Sequence, residues 1–128
     1  MSCAVTKGVK VEVESEYLLE RSNPERRTYY FAYHIRISNQ GGKTVQLVSR
    51  HWIITNEEGK TEEVKGPGVV GEQPTLQPGD SFEYSSLCPL DTAMGTMHGT
   101  YQMVTDNGEK FDVEIAPFTL AEEKITYH

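Results

Sequence analysis

Three glycines in one short stretch have the spacing of a nucleotide-binding signature. Residues 65–74 read KGPGVVGEQP and place Gly66, Gly68 and Gly71 in the pattern G-x-G-x-x-G. In dinucleotide-binding folds such glycines follow a buried parallel strand and begin a helix whose N-terminus receives the pyrophosphate. Here a polar segment precedes them, and Pro74 and Pro78 disfavour helical backbone in the residues before them. The context favours a stiff loop that crosses between two sheets with positive φ angles.

Gly66 and Gly71 also have the G-x-x-x-x-G spacing of a phosphate-binding loop. That loop continues with Lys and then Ser or Thr, which bind the phosphate and its magnesium ion. Glu72 and Gln73 occupy these two positions, and the carboxylate of a glutamate repels a phosphate. The spacing therefore lacks the side chains that phosphate chemistry needs, and a binding role of another kind for the loop stays open.

Side chains that could ligate a transition metal or act as nucleophiles are scattered along the chain. The histidines lack His-x-x-x-His spacing and the cysteines lack Cys-x-x-Cys spacing. Ser85 and Ser86 lack the G-x-S-x-G turn of many serine hydrolases. We therefore predict no metal, no cofactor and no catalytic residue, and a protein that is not an enzyme. The side chains that could ligate a transition metal are those of His34, His51, His98, His128, Cys3 and Cys88.

The polar residues nearest the glycine loop favour a contact surface instead. Arg50, His51 and the glycine loop give an unusual density of groups at positions expected to be exposed, and loops on a rigid scaffold commonly carry binding residues. We predict an interaction surface formed by Arg50, His51, Gly66, Gly68, Gly71 and Glu72.

The elements that must position these residues are β-strands. In residues 9–18, VKVEVESEYL, apolar and charged side chains alternate, as in a strand with one face on a core and one in water. Residues 28–39, TYYFAYHIRISN, repeat the alternation. In residues 44–55, TVQLVSRHWIIT, the apolar positions switch from odd numbers, at Val45 and Leu47, to even numbers, at Trp52 and Ile54. The switch indicates either a strand with both faces covered or a β-bulge near Ser49–Arg50. Trp52 in this segment is the expected core anchor.

Turn signals separate the strands. NQGG at 39–42 predicts a hairpin turn, NEEG at 56–59 predicts the next turn, and DNG at 106–108 is a strong hairpin signal. Residues 60–65, KTEEVK, have the polar character of a short edge strand. About seven strands and no convincing helix predict an all-β fold, an antiparallel β-sandwich of immunoglobulin-like shape.

Length and charge limit the remaining possibilities. The chain has 128 residues, which predicts one domain over 1–128 with its core at about 9–120. Its formal charge of −7 argues against nucleic acid as a partner. Cys3 lies at the chain end, where order is usually poor, so no disulfide with Cys88 is expected. Neither a signal peptide nor a membrane-spanning run is evident, and we predict a cytoplasmic protein without membrane insertion.

Several longer stretches in this order resemble the bacterial ApaG family, and the resemblance runs from about Val9 to Leu120. They are VKVEVESEYL, YYFAYHIRISNQG, VQLVSRHWIIT, VKGPGVVGEQPTLQPGDSFEYSS, CPLDTAMGTMHGTYQM and FDVEIAPFTL. The resemblance implies a single sandwich similar to fibronectin type III domains, without an established enzymatic activity. It also implies a link to cobalt resistance and magnesium efflux, and related domains in eukaryotic proteins look like protein-interaction modules.

Two functions follow as hypotheses. The first is a non-enzymatic β-sandwich that binds an unidentified protein partner, with homodimer formation through an exposed strand edge as a further expectation. The second is a small-ligand binder that holds a phosphorylated nucleotide or a divalent metal at the glycine loop.

Overall fold

The structure is a computed structural model that describes residues 1–122 of the chain. Nine strands account for most of it, and two short 3-10 turns, Leu19–Arg21 and Pro24–Arg26, follow the second strand. The strands are β1 (Ser2–Thr6), β2 (Val9–Tyr17), β3 (Tyr29–Asn39), β4 (Val45–Asn56), β5 (Thr61–Pro67), β6 (Thr75–Leu76), β7 (Ser81–Leu90), β8 (Met94–Thr105) and β9 (Lys110–Ala121).

The strands form two antiparallel sheets that pack face to face. The first sheet has the order β1-β2-β3-β7, and the second has the order β5-β4-β8-β9, with β6 paired to the start of β4. This arrangement confirms the predicted antiparallel sandwich. The predicted number of about seven strands omits β1 and the two-residue β6, both of which are short.

Alternating side chains from both sheets build the core. Val9, Val11 and Val13 of β2 are fully buried, as the alternation predicts. Trp52 of β4 is 2% exposed, and its ring meets Tyr33 and Phe118 in edge-on contacts with centroids 5.4 and 6.0 Å away. Burial of each large apolar side chain contributes roughly 1.5–3 kcal/mol. Trp52 is therefore the core anchor that the sequence predicted.

The predicted bulge in β4 is present. The register of β4 against β8 shifts between Leu47 and Ser49, so one residue of β4 is inserted. The insertion changes which residues face the core. Arg50 comes to lie opposite the buried Tyr101 of β8, and Trp52 lies opposite Gly99. The bulge therefore turns Arg50 towards the interior of the sandwich.

Two of the three predicted turns join paired strands, and one does not. The segments around Asn56–Gly59 and Asp106–Gly108 join β4 to β5 and β8 to β9, as expected of hairpins. The prediction of a hairpin at NQGG is wrong, because β3 and β4 lie in different sheets and this segment carries the chain from one sheet to the other. Asn39 fixes this crossing, since its buried amide donates to the carbonyls of Lys43 and Leu76 at 2.8 and 2.9 Å.

The expectation that the glycine loop crosses between the sheets is wrong. The loop joins β5 to β6, and both of these strands pair with β4, so it stays beside the second sheet. The crossing follows at residues 77–80, between β6 and β7. The expectation of poor order at Cys3 is also wrong, because Cys3 lies in β1 opposite Glu12. Both cysteines are free.

The two long sides of the sandwich differ. On the sealed side, which we define by β1 and β9, hydrogen bonds join the sheets: Ser2 Oγ donates to the Ala116 carbonyl at 3.0 Å, and the Glu114 amide donates to Thr6 Oγ1 at 3.1 Å. The open side is defined by the edge strands β5 and β7. Within residues 1–122, each of them is hydrogen-bonded to another strand along one edge only. A groove lies between these two edges.

Candidate functional site

The glycine loop contains a tight two-residue turn. Val69 and Glu72 exchange backbone hydrogen bonds of 2.8 and 2.9 Å, and the residues between them, Val70 and Gly71, have φ angles of 42° and 82°. Such turns need positive φ at both central positions, which suits Gly and Asn and opposes a β-branched side chain. Val70 is nevertheless 57% exposed at the tip, so a strained apolar residue faces outwards.

Packing explains two of the three glycines. A Cβ on Gly66 would lie 3.0–3.1 Å from the guanidinium atoms of Arg50, which stacks against its backbone. Gly68 has a φ of 58°, and a Cβ there would lie 2.3 Å from the carbonyl oxygen of Glu72. Strand β6 follows the loop where a dinucleotide site needs a helix. The glycine spacing is thus accounted for by the backbone geometry of the loop.

Arg50 connects the glycine loop to the open side. Its Nη1 donates to the carbonyls of Pro67 and Gly68, both at 2.9 Å, so the guanidinium fixes the point where β5 passes into the loop. Arg50 is partly buried and lines the groove together with Trp52. The predicted site residues Arg50, Gly66 and Gly68 therefore lie together.

The other predicted site residues lie apart from this group. His51 projects to the opposite face of β4, where its Nε2 is 2.8 Å from Glu63 Oε1. Gly71 and Glu72 lie in the turn at the loop tip, and both are exposed. The sequence predicted that these residues form one surface. In the structure they lie on both faces of β4 and at the tip of the glycine loop, because neighbouring residues of a strand point in opposite directions.

The groove on the open side consists of two adjoining cavities. The first, of about 260 Å³, is bounded by the side chains of Tyr33, Arg50 and Trp52 among others. The second, of about 580 Å³, extends towards Lys60 and Asp91. Both cavities are lined by Ile54, Glu62 and Pro89, which makes the groove continuous.

Buried hydroxyl and thiol groups lie at the Arg50 end of the groove. The hydroxyls of Tyr84 and Tyr101 are 2.5 Å apart in the core. Burial raises the pKa of Tyr33, of Tyr84 and of Tyr101, and it raises the pKa of Cys88 to about 12. These groups stay protonated near neutral pH because the low-dielectric interior disfavours their charged forms. They can donate hydrogen bonds, and they are not poised to act as nucleophiles.

Sequence reasoning missed a serine–histidine–glutamate arrangement on the outer face of the first sheet. His34 of β3 contacts Ser85 Oγ through Nδ1 at 2.9 Å and Glu83 Oε1 through Nε2 at 3.0 Å. The hydrogen bond from His34 is the main reason that the pKa of Glu83 is lowered. All three side chains are exposed, so water competes for their hydrogen bonds. The pairing register of β3 and β7 creates this contact, and spacing along the chain does not reveal it.

The remaining metal candidates are dispersed. Among residues 1–122, no three or more His, Cys, Asp and Glu side chains are grouped in a way that could hold a metal ion. His98 lies in β8 opposite Ile53, and His128 lies outside the described residues. In the same part of the chain, no helix has the length and apolar character required to span a membrane.

This two-sheet architecture places the chain in the class of immunoglobulin-like and fibronectin type III-like β-sandwich domains. A family model described as the ApaG domain matches residues 19–105. The Protein ApaG of Rhizobium etli is 56% identical over 117 residues, covering 91% of this chain and 90% of the relative. That of Rhodopseudomonas palustris strain TIE-1 is 54% identical over 117 residues, with the same coverage of both chains. The chain belongs to the ApaG family, which confirms the resemblance.

Solved structures agree with this assignment. The crystal structure reported for the ApaA protein of Bordetella pertussis matches with a TM-score of 0.89 and 50% identity, covering 91% of this chain and 95% of that one. The C-terminal domain of wzt matches with a TM-score of 0.52 at 10% identity, covering 99% of this chain and 88% of that one. At that identity the second likeness shows the fold alone.

Proposed function

We propose that this protein is a non-enzymatic interaction module that binds a protein partner along the open side of the sandwich. The observation that carries the proposal is the continuous groove between the edge strands β5 and β7. Free strand edges present backbone N–H and C=O groups, and an extended peptide segment can satisfy them by adding as a further strand. The partner supplies such a segment.

The two edge strands of the groove differ in charge and hydrophobicity, and this difference indicates which strand pairs with the partner. Strand β5 carries Glu62, Glu63 and Lys65 near its edge, and charges of this kind discourage pairing with another strand. Strand β7 instead presents the 45% exposed Leu87 at the rim of the groove. We therefore propose β7 as the edge that receives the partner.

Capture of a partner by matched variants tests this proposal. The wild-type chain and the variants Leu87→Lys and Val5→Lys serve as baits in a bacterial lysate. Leu87 lies on the open side, and Val5 is 58% exposed in β1 on the sealed side. We expect Leu87→Lys to lower the amount of one defined captured protein about tenfold and Val5→Lys to leave it unchanged. Equal losses with both variants, or no defined protein with the wild type, would contradict the proposal.

A second copy of the chain is the simplest partner of the same surface. A homodimer through the β7 edge would place two identical edges against each other across a twofold axis. Sedimentation equilibrium of the wild type and of Leu87→Lys measures this association. A dimer that Leu87→Lys dissociates supports the β7 edge as the contact, and a dimer that Val5→Lys dissociates instead assigns it to the sealed side.

Binding of a phosphorylated nucleotide or divalent metal at the glycine loop remains a separate prediction, as does the family link to cobalt resistance and magnesium efflux. Calorimetric titration with ATP, diadenosine tetraphosphate, Mg²⁺ and Co²⁺ tests it, and flat traces at millimolar concentrations would remove it. The proposed cytoplasmic location is supported by two free thiols, one of them exposed, since such thiols persist in reducing compartments.

A further inference from the structure

Arg50 places a positive charge in the groove that no carboxylate of residues 1–122 pairs within 4.0 Å. Its Nη1 bonds the neutral carbonyls of Pro67 and Gly68, and none of the ion pairs among residues 1–122 includes Arg50. In the same part of the chain, Nε and Nη2 make no hydrogen bond. A partly buried guanidinium is stabilised by an anion with planar geometry, because its donors form a rigid fork.

Trp52 lines the same cavity and holds an unused donor beneath its surface. The side chain is almost fully buried, and its Nε1 has no hydrogen-bond partner. Among residues 1–122 the only other buried side-chain polar atom in this condition is Tyr17 Oη. Because Nε1 has almost no accessible surface, Trp52 is a reporter on the cavity and its indole N–H is not a contact for a ligand. Trp52 is two residues from Arg50 on the inward face of β4.

Tyr33 and Ser86 complete the polar part of the cavity. The hydroxyl of Tyr33 adjoins Ser86, and the raised pKa of Tyr33 keeps this group a donor. Both residues line the cavity of about 260 Å³ that Arg50 and Trp52 line. The cavity therefore combines one cationic and several neutral donors, and Glu62 at its boundary is the one carboxylate among its lining residues.

The rest of this cavity is apolar, and its size limits the ligand. Val64, Leu87 and Met97 contribute apolar surface. Pockets for whole drug-sized ligands usually enclose about 300–1,000 Å³, so 260 Å³ suits a single residue better than a nucleotide. The adjoining cavity of about 580 Å³ gives room for the residues that precede it in a longer chain.

We propose that the Arg50 end of the groove binds the carboxyl-terminal residue of the partner protein, with its α-carboxylate on the guanidinium of Arg50. The proposal rests on the proposed interaction function and specifies the chemistry that the open side recognises. The apolar side chain of that last residue packs on Val64 and Met97. The preceding residues run between β5 and β7 towards Lys60.

Small probes test the pocket without the partner. The chain has one tryptophan, so the ¹⁵N-labelled protein gives a single indole N–H resonance that reports on Trp52. N-acetyl-leucine carries the α-carboxylate, N-acetyl-leucinamide lacks it, and N-acetyl-aspartate amide carries a side-chain carboxylate. We expect N-acetyl-leucine to shift the indole resonance saturably, and N-acetyl-leucinamide to bind about tenfold more weakly because the charge-assisted hydrogen bonds are lost. A stronger response to N-acetyl-aspartate amide would assign the pocket to an acidic side chain and overturn the carboxyl-terminal assignment.

Variants separate recognition from folding. Arg50→Gln should weaken N-acetyl-leucine about tenfold, and Arg36→Gln, which makes the same change on an exposed position of β3, should leave it unchanged. Because Arg50→Gln also frees the glycine loop, Val64→Ala provides a second test that retains Arg50. It should weaken N-acetyl-leucine about fivefold, since it removes apolar contact in the cavity. Equal binding of acid and amide by the wild type, or no shift up to about 50 mM, would overturn the proposal. Neither outcome depends on capture of a partner, so the proposed function and the pocket fail independently.

Discussion

The two long sides of the sandwich use their backbone polar groups in opposite ways. On the sealed side, Ser2 and Thr6 of β1 bond to the backbone of β9, so the two sheets are joined across their edges. On the open side, β5 and β7 leave a groove, and the guanidinium of Arg50 bonds to the start of the glycine loop instead of to the other sheet. One pair of sheet edges is therefore joined by the chain itself, whereas the other pair keeps its backbone N–H and C=O groups free along a groove.

The largest expected difference between the sides is in thiol reactivity. Cys3 is exposed on the sealed side, whereas Cys88 is buried on the open side with a pKa raised to about 12. The thiolate is the reactive form, so at pH 8 we expect Cys88 to react with an aromatic disulfide reagent on the order of a thousandfold more slowly than Cys3. The variants Cys3→Ser and Cys88→Ser allow each rate to be measured separately.

The pH dependence of Cys88 sharpens this test. Burial raises its pKa above the ordinary 9.0, so the contribution of the neutral thiol to stability is complete below pH 9 and is lost as the pH rises towards 12. Its reaction rate should therefore climb about tenfold per pH unit through this range. Equal rates for the two cysteines at pH 8 would show that the groove opens faster than the reagent reacts.

Truncation of a core residue near the sealed side should cost far more stability than truncation at the open rim. Ile115 of β9 is buried, and Ile115→Ala leaves a cavity that we expect to cost about 3 kcal/mol of unfolding free energy. Leu87→Ala removes an exposed side chain and should cost at most about 0.5 kcal/mol. Urea denaturation measures both. A cost above 2 kcal/mol for Leu87→Ala would mean that the open side is part of the core.

The glycine loop offers a matched pair of substitutions beside the open side. Gly68→Ala combines a positive φ with a Cβ 2.3 Å from the Glu72 carbonyl oxygen, so we expect a loss of about 2 kcal/mol. In Gly71→Ala the added Cβ has no atom within 4 Å, so only the positive φ destabilises the variant, by about 1 kcal/mol of unfolding free energy. Thermal and urea denaturation give the order, and a larger loss for Gly71→Ala would contradict the packing explanation of Gly68.

The smallest expected effect is a gain of stability at the loop tip. Val70 has a φ of 42°, which a β-branched side chain tolerates poorly, so Val70→Asn should stabilise the fold by about 0.5–1 kcal/mol. Val48→Asn is the control, because Val48 is similarly exposed and its φ is not positive. If Val70→Asn stabilises the fold and weakens partner capture, the strained valine is retained for contact. No gain in stability would mean that the turn is not strained.

Much of the fold was predictable from the sequence because strands have a period of two. The alternation around Val9–Val13 predicted the core face of β2, and the change of parity near Ser49 predicted the bulge in β4. The crossing at NQGG was not predictable, because a turn signal shows where the chain reverses and not which strand it pairs with next. Strand β1 was missed because five residues between a chain end and a turn give too little periodicity.

The candidate site was predictable in part. The sequence drew attention to Arg50 and the glycines, but it grouped His51 with them although adjacent strand residues face opposite ways. Arg50 and Trp52 are two residues apart and therefore lie on the same face of β4, which indicates that Arg50 points inwards. This can be inferred only after the bulge has been located, because the bulge decides which face of β4 meets the core. The contributions of Tyr33 and Ser86 depend on the packing of one sheet on the other, which no local pattern encodes.

The bonds between β1 and β9 also bear on the order in which the chain folds. They join residues 114 and 108 positions apart in sequence, Ser2 with Ala116 and Thr6 with Glu114. During synthesis the first strand emerges long before its partner in the other sheet exists, so this edge of the nascent sandwich stays unprotected until β9 leaves the ribosome. Such non-local pairings slow folding and lengthen exposure to aggregation. Addition of β9 therefore closes this edge, and nascent chains stalled before β9 should depend on chaperones more than chains that include it.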